Sequence, residues 1–472
     1  VNLYRQYASE IAAMIATGQL RPGDRLPSVR EARARRGISA STVFQAYQLL
    51  ERDGLVVARP QSGFYVNMPL AERSTTPAGP SGGIPAEVQV SDLVFHVLGQ
   101  VRSRGVAPLG SAFPGPELFP LRKLARAASA GLEAMDPGAV VEHLSPGYPR
   151  LIEQIELRYR IDGIALMPNE IVVTNGALEA LNAALQLTTQ PGDTVVVESP
   201  AFYAALQTIE RLGLKALSLP TSSVSGIDLD ALATVLARER VGACWLMPTF
   251  QNPTGALMPD ASKRDLVALL ARHQVPLIED DVYGELYFGT ARPKPAKAFD
   301  HNGLVLHCSS FSKSLAPGYR VGWVAAGRYA QALQRHTLMT TMSASMPAQI
   351  AVTQVLQKDG FDRHLRQLRG ALHARMSAAS RVIETSFPAG TLVSRPRGGY
   401  FLWLELPRAL DAMDLHTLAL KAGIGIAPGP LFSPDTRFSQ YLRINIGHDG
   451  NIVLPALRQL GALAHQLDGV SP

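Results

Sequence analysis

The sequence predicts a multidomain chain: a head of three helices and a β-hairpin, a flexible linker, and a large α/β body on a mainly parallel sheet with a small C-terminal α+β unit. Three observations predict it. The stretch PLAERSTTPAGPSGGIPAE carries Pro, Gly, Ser and Thr without apolar periodicity, the composition of a solvated linker. Before it, apolar residues recur at helical spacing. After it, short and nearly continuous apolar runs alternate with amphipathic stretches, the pattern of strands covered on both faces. We therefore divide the chain into a head at 1–68, a linker at 69–88 and a body at 89–472, with the small unit starting at about Phe361.

In chain order, QYASEIAAMIATG is a helix that stops at Gly18, and PSVREARARRG and SASTVFQAYQLLERDG are two more, each closed by a glycine. Ser39 is a natural N-cap for the third. LVVARPQSGFYV then reads as two short strands around a turn from Arg59 to Gly63, which completes a winged helix-turn-helix plan. In the body, IVVT, TVVVES, KALSLP, ACWLMP, VPLIED, LVLHCS and VGWVAA are seven strand candidates. Helices are expected between several of them, including Ala201 to Leu212 and Asp260 to His273. The last part mixes helices with GGYFLWLEL and YLRINIG.

Composition narrows the function classes. At 472 residues and 46% hydrophobic, the chain buries several cores and is not a single small module. Its longest apolar runs fall far short of the roughly 20 residues that cross a bilayer, and no leader pattern opens it, so a cytoplasmic protein without a membrane partner is expected. Cys244 and Cys308 sit inside strand-like runs as small hydrophobes; neither a disulfide nor a metal site is expected. Of the net charge of +6, the part up to Met68 supplies +4, from nine arginines against five acids.

In open α/β sheets, ligands bind beyond the carboxyl ends of the strands, and four such places here hold reactive or polar residues. TNGALEAL opens a helix at about Ala177, where free N–H groups can hold a phosphate. LMPTFQNPTG leaves a strand with Asn252, LIEDDVYGEL leaves another with Asp280 and Tyr283, and LVLHCSSFSKSLAPGYR carries Ser310, Ser312, Lys313 and Arg320. Singly, each has a bland reading: an ordinary helix start, a turn-forming Asn, a helix-capping Asp, a solvated lysine. Together they complement one molecule. Pyridoxal 5'-phosphate carries an aldehyde, a ring nitrogen, a phenolic oxygen and a phosphate, which call for a lysine, a carboxylate, Asn or Tyr donors, and an arginine with backbone donors.

QNPTG, EDDVYGELYF, SSFSKSLAPGYRVGW, GGYFLWLEL and YLRINIG stand in the order and spacing of fold-type I aminotransferases. With its head included, the chain resembles the MocR-type subfamily of GntR transcriptional regulators over nearly its whole length. The resemblance implies a fold-type I pyridoxal phosphate-dependent transferase fold with a mainly parallel seven-stranded sheet. It implies that Lys313 is the covalent anchor, that Asp280 holds the pyridine nitrogen protonated, and that Asn252 and Tyr283 bond the phenolic oxygen. Arg320, Ser310, Ser312 and the backbone at Ala177 and Leu178 would hold the phosphate. Phe202 would stack on the ring, with Tyr203 as the alternative. Arg443 would grip a substrate's α-carboxylate with Asn252 beside it; its bland reading is an edge-strand arginine facing water. The family commonly has a tyrosine five residues before the Gly of a G-x-P-x-L segment, reaching the partner's phosphate. Glu142 stands at that place here with His143 beside it, and Tyr148 is offset, so the sequence departs from the family pattern for that cross-subunit contact.

In the head, LRPGDRLPSVRE and GISASTVFQAYQLLERDGLVVARPQSGFYV resemble the GntR DNA-binding module. The third helix would present its first turn to the major groove of double-stranded DNA, with Ser39, Ser41 and Thr42 at its start, while Arg30 and the wing from Gln61 to Gly63 meet phosphates. Family members often carry Arg where Ala40 stands, so operator sequence does not transfer; Arg33, Arg35 and Arg36 are candidates for compensating phosphate contacts. The expected function is a homodimeric DNA-binding regulator whose aminotransferase-like body senses a small amino compound as effector. Two alternatives stand beside it: an active aminotransferase that takes such a compound as substrate, and a cofactor sensor that leaves Arg443 idle.

Overall fold

The computed structural model describes residues 3–17, 19–21, 23–52, 55–59, 62–66, 84–101, 105–136, 138, 144–358 and 360–469. Gly18, Gly54, Gln61, the linker up to residue 83, Glu142 and His143 lie outside the described residues. The chain divides into two compact units, Val1–Arg73 and Ser74–Pro472.

The first unit holds α1 (Leu3–Ala16), α2 (Val29–Arg36), α3 (Ala40–Arg52) and the antiparallel hairpin β1 (Val56–Arg59) and β2 (Gly63–Val66). The local sequence signals explain the boundaries. Ser28 and Glu31 form a reciprocal capping box at the start of α2: the Glu31 N–H donates to Ser28 Oγ (3.2 Å) and the Ser28 N–H donates to Glu31 Oε2 (2.8 Å). Gly37 ends α2 in the left-handed conformation (φ 65°), where a side chain would be strained. Ser39 caps α3 as expected, its Oγ accepting from the Thr42 N–H at 3.1 Å. One core closes the unit: Tyr7, Ile11, Leu26, Val43, Ala46, Tyr47, Leu50, Val56 and Val66. The one polar group Tyr47 brings inside is satisfied, since its hydroxyl donates to the Pro27 carbonyl at 2.7 Å.

The second unit runs through α4 (Ser91–Val101), α5 (Leu121–Glu133), α6 (Pro149–Ile161), β3 (Ile171–Thr174), α7 (Ala177–Thr188), β4 (Thr194–Ser199), α8 (Tyr203–Arg211) and β5 (Lys215–Ser222). It continues with β6 (Gly226–Ile227), α9 (Leu229–Arg238), β7 (Val241–Leu246), α10 (Asp260–His273), β8 (Leu277–Asp280), β9 (Val305–Ser310) and β10 (Gly322–Ala325). The large sheet has the order β3-β10-β9-β8-β7-β4-β5-β6. All seven expected strands are in it, joined by the two-residue edge strand β6. The pairs among β5, β4, β7, β8 and β9 are parallel, and β10 lies antiparallel to both its neighbours. Strands β3, β4, β8, β9 and β10 are buried at every residue, as continuous apolarity demands of a sheet covered on both faces.

Two helices, α11 (Ala330–Thr340) and α12 (Met346–Gln357), still pack on the large sheet's side, and the small unit is built from α13 (Phe361–Ser386), β11 (Leu392–Val393), β12 (Phe401–Glu405), α14 (Ala412–Lys421), β13 (Ala427–Pro428), β14 (Tyr441–Asn445) and α15 (Gly450–Leu467). Its antiparallel sheet has the order β11-β12-β14-β13. A start at Phe361 leaves out one piece. Residues 107–115 pack into it from far upstream, with the Ala107 N–H on Gly423 O (2.8 Å), the Gly110 N–H on Gly425 O (2.7 Å) and the Gly115 N–H on Gly447 O (2.8 Å). Leu109 is fully buried in its core. At Gly110 a Cβ would lie 2.6 Å from the Ile426 carbonyl carbon, so only glycine permits this approach.

Candidate functional site

Several segments of the second unit meet where β8 and β9 stop. Lys313, in the turn after β9, is buried, and its Nζ donates to Ala112 O at 2.8 Å and sits 3.7 Å from the Phe113 ring centroid. Burial lowers its amine to about 7, helped by the positive charges of Arg443 and Arg320 and opposed by Asp280. Asp280, the last residue of β8, is buried, and its Oδ1 has no hydrogen-bond partner. Burial, followed by the neighbouring Asp281 charge, raises its carboxyl to about 7. Tyr283, three residues on, is buried against Tyr400 and Phe401, and burial raises its phenol above the usual range.

Arg443 lies in β14, between β12 and β13, so the edge-strand reading is wrong: the residue is 0% exposed. It makes no ion pair with an acid among the described residues. Its Nη1 donates to Asn252 Oδ1 (3.0 Å), and its Nη2 donates to the carbonyls of Gly110 (2.7 Å) and Ser111 (3.3 Å). Its Nε is buried without a partner, as is the Asn252 Nδ2. Phe401 and Phe432 lie 4.3 and 5.2 Å from the guanidinium carbon. This deeply buried cation is thus held by neutral acceptors alone among the described residues.

The third cluster gathers at the start of α7. Arg320 donates from Nη1 to Ser312 Oγ (3.2 Å) and from Nη2 to Asn175 O (3.1 Å), and the Ser312 N–H donates to Ser310 Oγ (3.3 Å). Gly176 is the N-cap of α7, with φ 85°, and a Cβ there would lie 2.4 Å from the Arg320 Nη2. The chain thus keeps the space beside the guanidinium clear where Ala177 and Leu178 present the first N–H groups of α7. A guanidinium, two hydroxyls and a helix N-terminus are a donor set for a phosphate. Phe202 caps α8 half-buried, its ring 4.8 Å from that of buried Tyr203, whose ring lies 5.9 Å from the guanidinium carbon of Arg443.

Sequence reasoning missed two parts. The loop carbonyls of Gly110, Ser111 and Ala112 meet Arg443, Asn445 and Lys313, and Tyr400 donates to Ala112 O at 3.0 Å. Behind Asp280, on the other face of the sheet, Asp281 accepts from Arg292 (2.9 Å) and pairs with His307 Nε2 (3.1 Å), and the His307 Nδ1 meets the Tyr159 hydroxyl. Although burial pushes the Asp281 carboxyl up, the His307 bond and the Arg292 charge bring it below its usual value.

In the head, the Ser39 Oγ lies 2.8 Å from both Ser41 Oγ and Thr42 Oγ1, so these three predicted DNA-reading hydroxyls form one knot at the start of α3. Arg30 is exposed, and Gly63 opens β2 with φ 107°. Arg25 was also missed: its Nε lies 3.5 Å from a Cβ position at Gly63, which places a guanidinium at the wing. Arg36 pairs with Glu10 at 3.0 Å, leaving Arg33 and Arg35 as the cations of α2's last turn without an ion pair among the described residues.

Residues 119–460 match the model for aminotransferase class I and II. The chain belongs to that family. Residues 3–66 match bacterial regulatory proteins of the gntR family, and the two together make the MocR-type arrangement. The chain is 47% identical to the HTH-type transcriptional regulator YdcR of Escherichia coli K12, over 98% of this chain and 99% of that protein. The crystal structure of the multiple substrate aminotransferase of Thermococcus profundus superposes with a TM-score of 0.74 at 26% identity, covering 81% of this chain and 96% of that one. LysN, the alpha-aminoadipate aminotransferase of Thermus thermophilus, was solved with N-(5'-phosphopyridoxyl)-L-leucine and gives a TM-score of 0.72 at 29% identity, covering 81% of this chain and all of that one. Family members depend on pyridoxal phosphate, and it is the cofactor of this chain. The residues present fit it: Asp280 Oδ1 and Asn252 Nδ2 are buried polar atoms without a hydrogen-bond partner, Lys313 offers an amine lowered to about 7, and the Arg320 cluster offers donors of the kind a phosphate takes.

Proposed function

We propose that the chain is a transcription regulator whose head binds double-stranded DNA and whose body, carrying pyridoxal phosphate on Lys313, senses a small amino compound with a carboxylate. When bound, pyridoxal phosphate supplies an electrophilic carbon and an electron-withdrawing ring. Lys313 contributes an amine that is half neutral near pH 7, the form able to attack a carbonyl carbon. Asp280 holds a proton on the ring nitrogen. Asn252 and Tyr283 bond the phenolic oxygen, and Phe202 covers the ring. Ser310, Ser312, Arg320 and the N–H groups of Ala177 and Leu178 hold the phosphate, and Arg443 takes the ligand's carboxylate.

The observation that carries this reading is Arg443: a fully buried guanidinium with no acidic partner among the described residues, facing a buried low-pKa lysine, in a chain whose residues 3–66 match a DNA-binding family. Footprinting of the upstream DNA, with and without pyridoxal phosphate and a panel of amino acids, tests it. We expect a specific footprint that one amino compound alters. A footprint indifferent to the cofactor and to every amino compound refutes the sensing half. The rival reading, an active aminotransferase, draws on the same retained Lys313, Asp280 and Arg443; steady turnover of an amino donor with a keto acid, without a specific DNA site, would favour it.

We infer a homodimer in the cytoplasm. Leu178, in the first turn of α7, is 47% exposed, and the Thr341 hydroxyl bonds Glu179 at 2.6 Å beside exposed Leu338, Met339 and Met342. An apolar rim next to the phosphate cradle suits a second subunit.

A further inference from the structure

The outer face of α3 is neutral and partly apolar. Val43, Ala46, Tyr47 and Leu50 turn inward, which leaves Ala40, Ser41, Phe44, Gln45 and Gln48 exposed at steps of three and four along one side. No charged residue stands on that side before Glu51. Phe44 is 46% exposed, and Phe64 of the wing strand packs edge-on against it at 6.3 Å. The Ser39 hydroxyl bonds those of Ser41 and Thr42, and beside that knot the first two turns present the Ala40 methyl, the Phe44 ring and the Gln45 amide. Cations flank this stripe instead of lying on it, with exposed Arg30, Arg33 and Arg35 on α2 and Arg25 beside the wing.

Major-groove chemistry translates that pattern. Guanine is read chiefly by Arg or Lys on O6 and N7, adenine by the bidentate amide of Asn or Gln on N6 and N7, and thymine by apolar contact with its 5-methyl group. A recognition helix enters the groove by its N-terminal turns while flanking cations meet the phosphates. We infer that this head reads A·T base pairs, with Gln45 on an adenine and Phe44 and Ala40 against thymine methyl groups, and that no guanine anchors its half-site through α3. The inference rests on the DNA-binding reading and deepens it.

Selection from a random duplex library with the full-length, pyridoxal phosphate-loaded chain tests it. The expected half-site has A·T pairs at the positions under α3. Replacing the contacted thymine by uracil, which lacks only the methyl group, should weaken binding about four-fold. Phe44→Ala should abolish that thymine-over-uracil difference, and because Phe44 is exposed the variant should fold, checked by its melting curve. Gln45→Arg should turn the preference at its position from adenine to guanine by about ten-fold. Half-sites anchored on G·C pairs under α3, or equal binding of thymine and uracil duplexes, would overturn the inference. Salt-sensitive binding without sequence preference would overturn it while leaving DNA binding intact. Absence of any DNA binding would overturn the regulator reading along with it.

Discussion

The amine of Lys313 offers the sharpest test of the site. Burial, Arg443 and Arg320 lower its pKa from 10.5 to about 7, whereas Asp280 raises it. At pH 7 about half of such an amine is neutral; an unperturbed lysine would be neutral in about one molecule in three thousand. Covalent capture of pyridoxal phosphate needs the neutral form, so its rate should climb through pH 7 and level off by about pH 8 to 9. Two substitutions should move the profile in opposite directions. Arg443→Gln removes a positive neighbour, lets the amine hold its proton more tightly and shifts the rise to higher pH. Asp280→Asn removes the opposing negative charge and shifts it lower, while its weaker grip on the ring reduces the amount bound rather than the midpoint. Stopped-flow absorbance of the lysine-bound cofactor across pH gives both midpoints. A wild-type rate still climbing steeply at about pH 10, or two variants shifted the same way, would refute the reasoning. The same shift sets a stability slope in the cofactor-free chain: between about 7 and 10.5 the unfolded chain holds a proton the folded chain lacks, so stability rises with pH there.

Three further outcomes follow from the geometry. Burial raises the Glu198 carboxyl from 4.5 to about 8, so from pH 4.5 to 8 the folded chain keeps a proton that the unfolded chain loses and stability falls as pH rises; Glu198→Gln should remove that slope, worth at most on the order of 5 kcal/mol by pH 8, in urea melts at several pH values. Gly322→Ala places a Cβ 2.5 Å from the Gly176 carbonyl carbon and should displace the start of α7, weakening pyridoxal phosphate binding at least ten-fold by titration while leaving the melting step of the head unchanged. Ser28→Ala removes half of the capping box and should cost the head about 1 kcal/mol, read as an earlier melting step of the head with the cofactor absorbance unaltered.

The parts legible in the sequence are those set by local chemistry. Strands such as TVVVES and VPLIED announced themselves because both faces are buried, and α10 runs from Asp260 to His273 as read, starting right after Pro259. The roles expected of Asn252, Asp280, Lys313 and Arg443 rest on positions just past strand ends or in a resembling motif, and the fold brings all four into one site. The rest was hidden because it is non-local. APLGSAFPGP reads as a Pro- and Gly-rich loop, and only the tertiary fold sets its carbonyls against Arg443, 332 and 333 positions away. Period-two reasoning could have found the network behind Asp280, since Asp281 must face away from Asp280 and His307 away from Cys308. Nothing in their spacing, however, points to Tyr159 or Arg292 as partners.

The carbonyls of Gly110, Ser111 and Ala112 turn ligand entry into an exchange. Arg443 and Lys313 already hold neutral acceptors, so an incoming molecule adds only the difference between what it offers and what the backbone supplies. A carboxylate offers charge-assisted bonds roughly twice as strong as neutral ones and prevails. An amide or an uncharged amine replaces like with like. On the proposed reading the loop would set a threshold on ligand charge, and the pocket would discriminate without a repelling residue, the chain's own backbone competing with weak occupants.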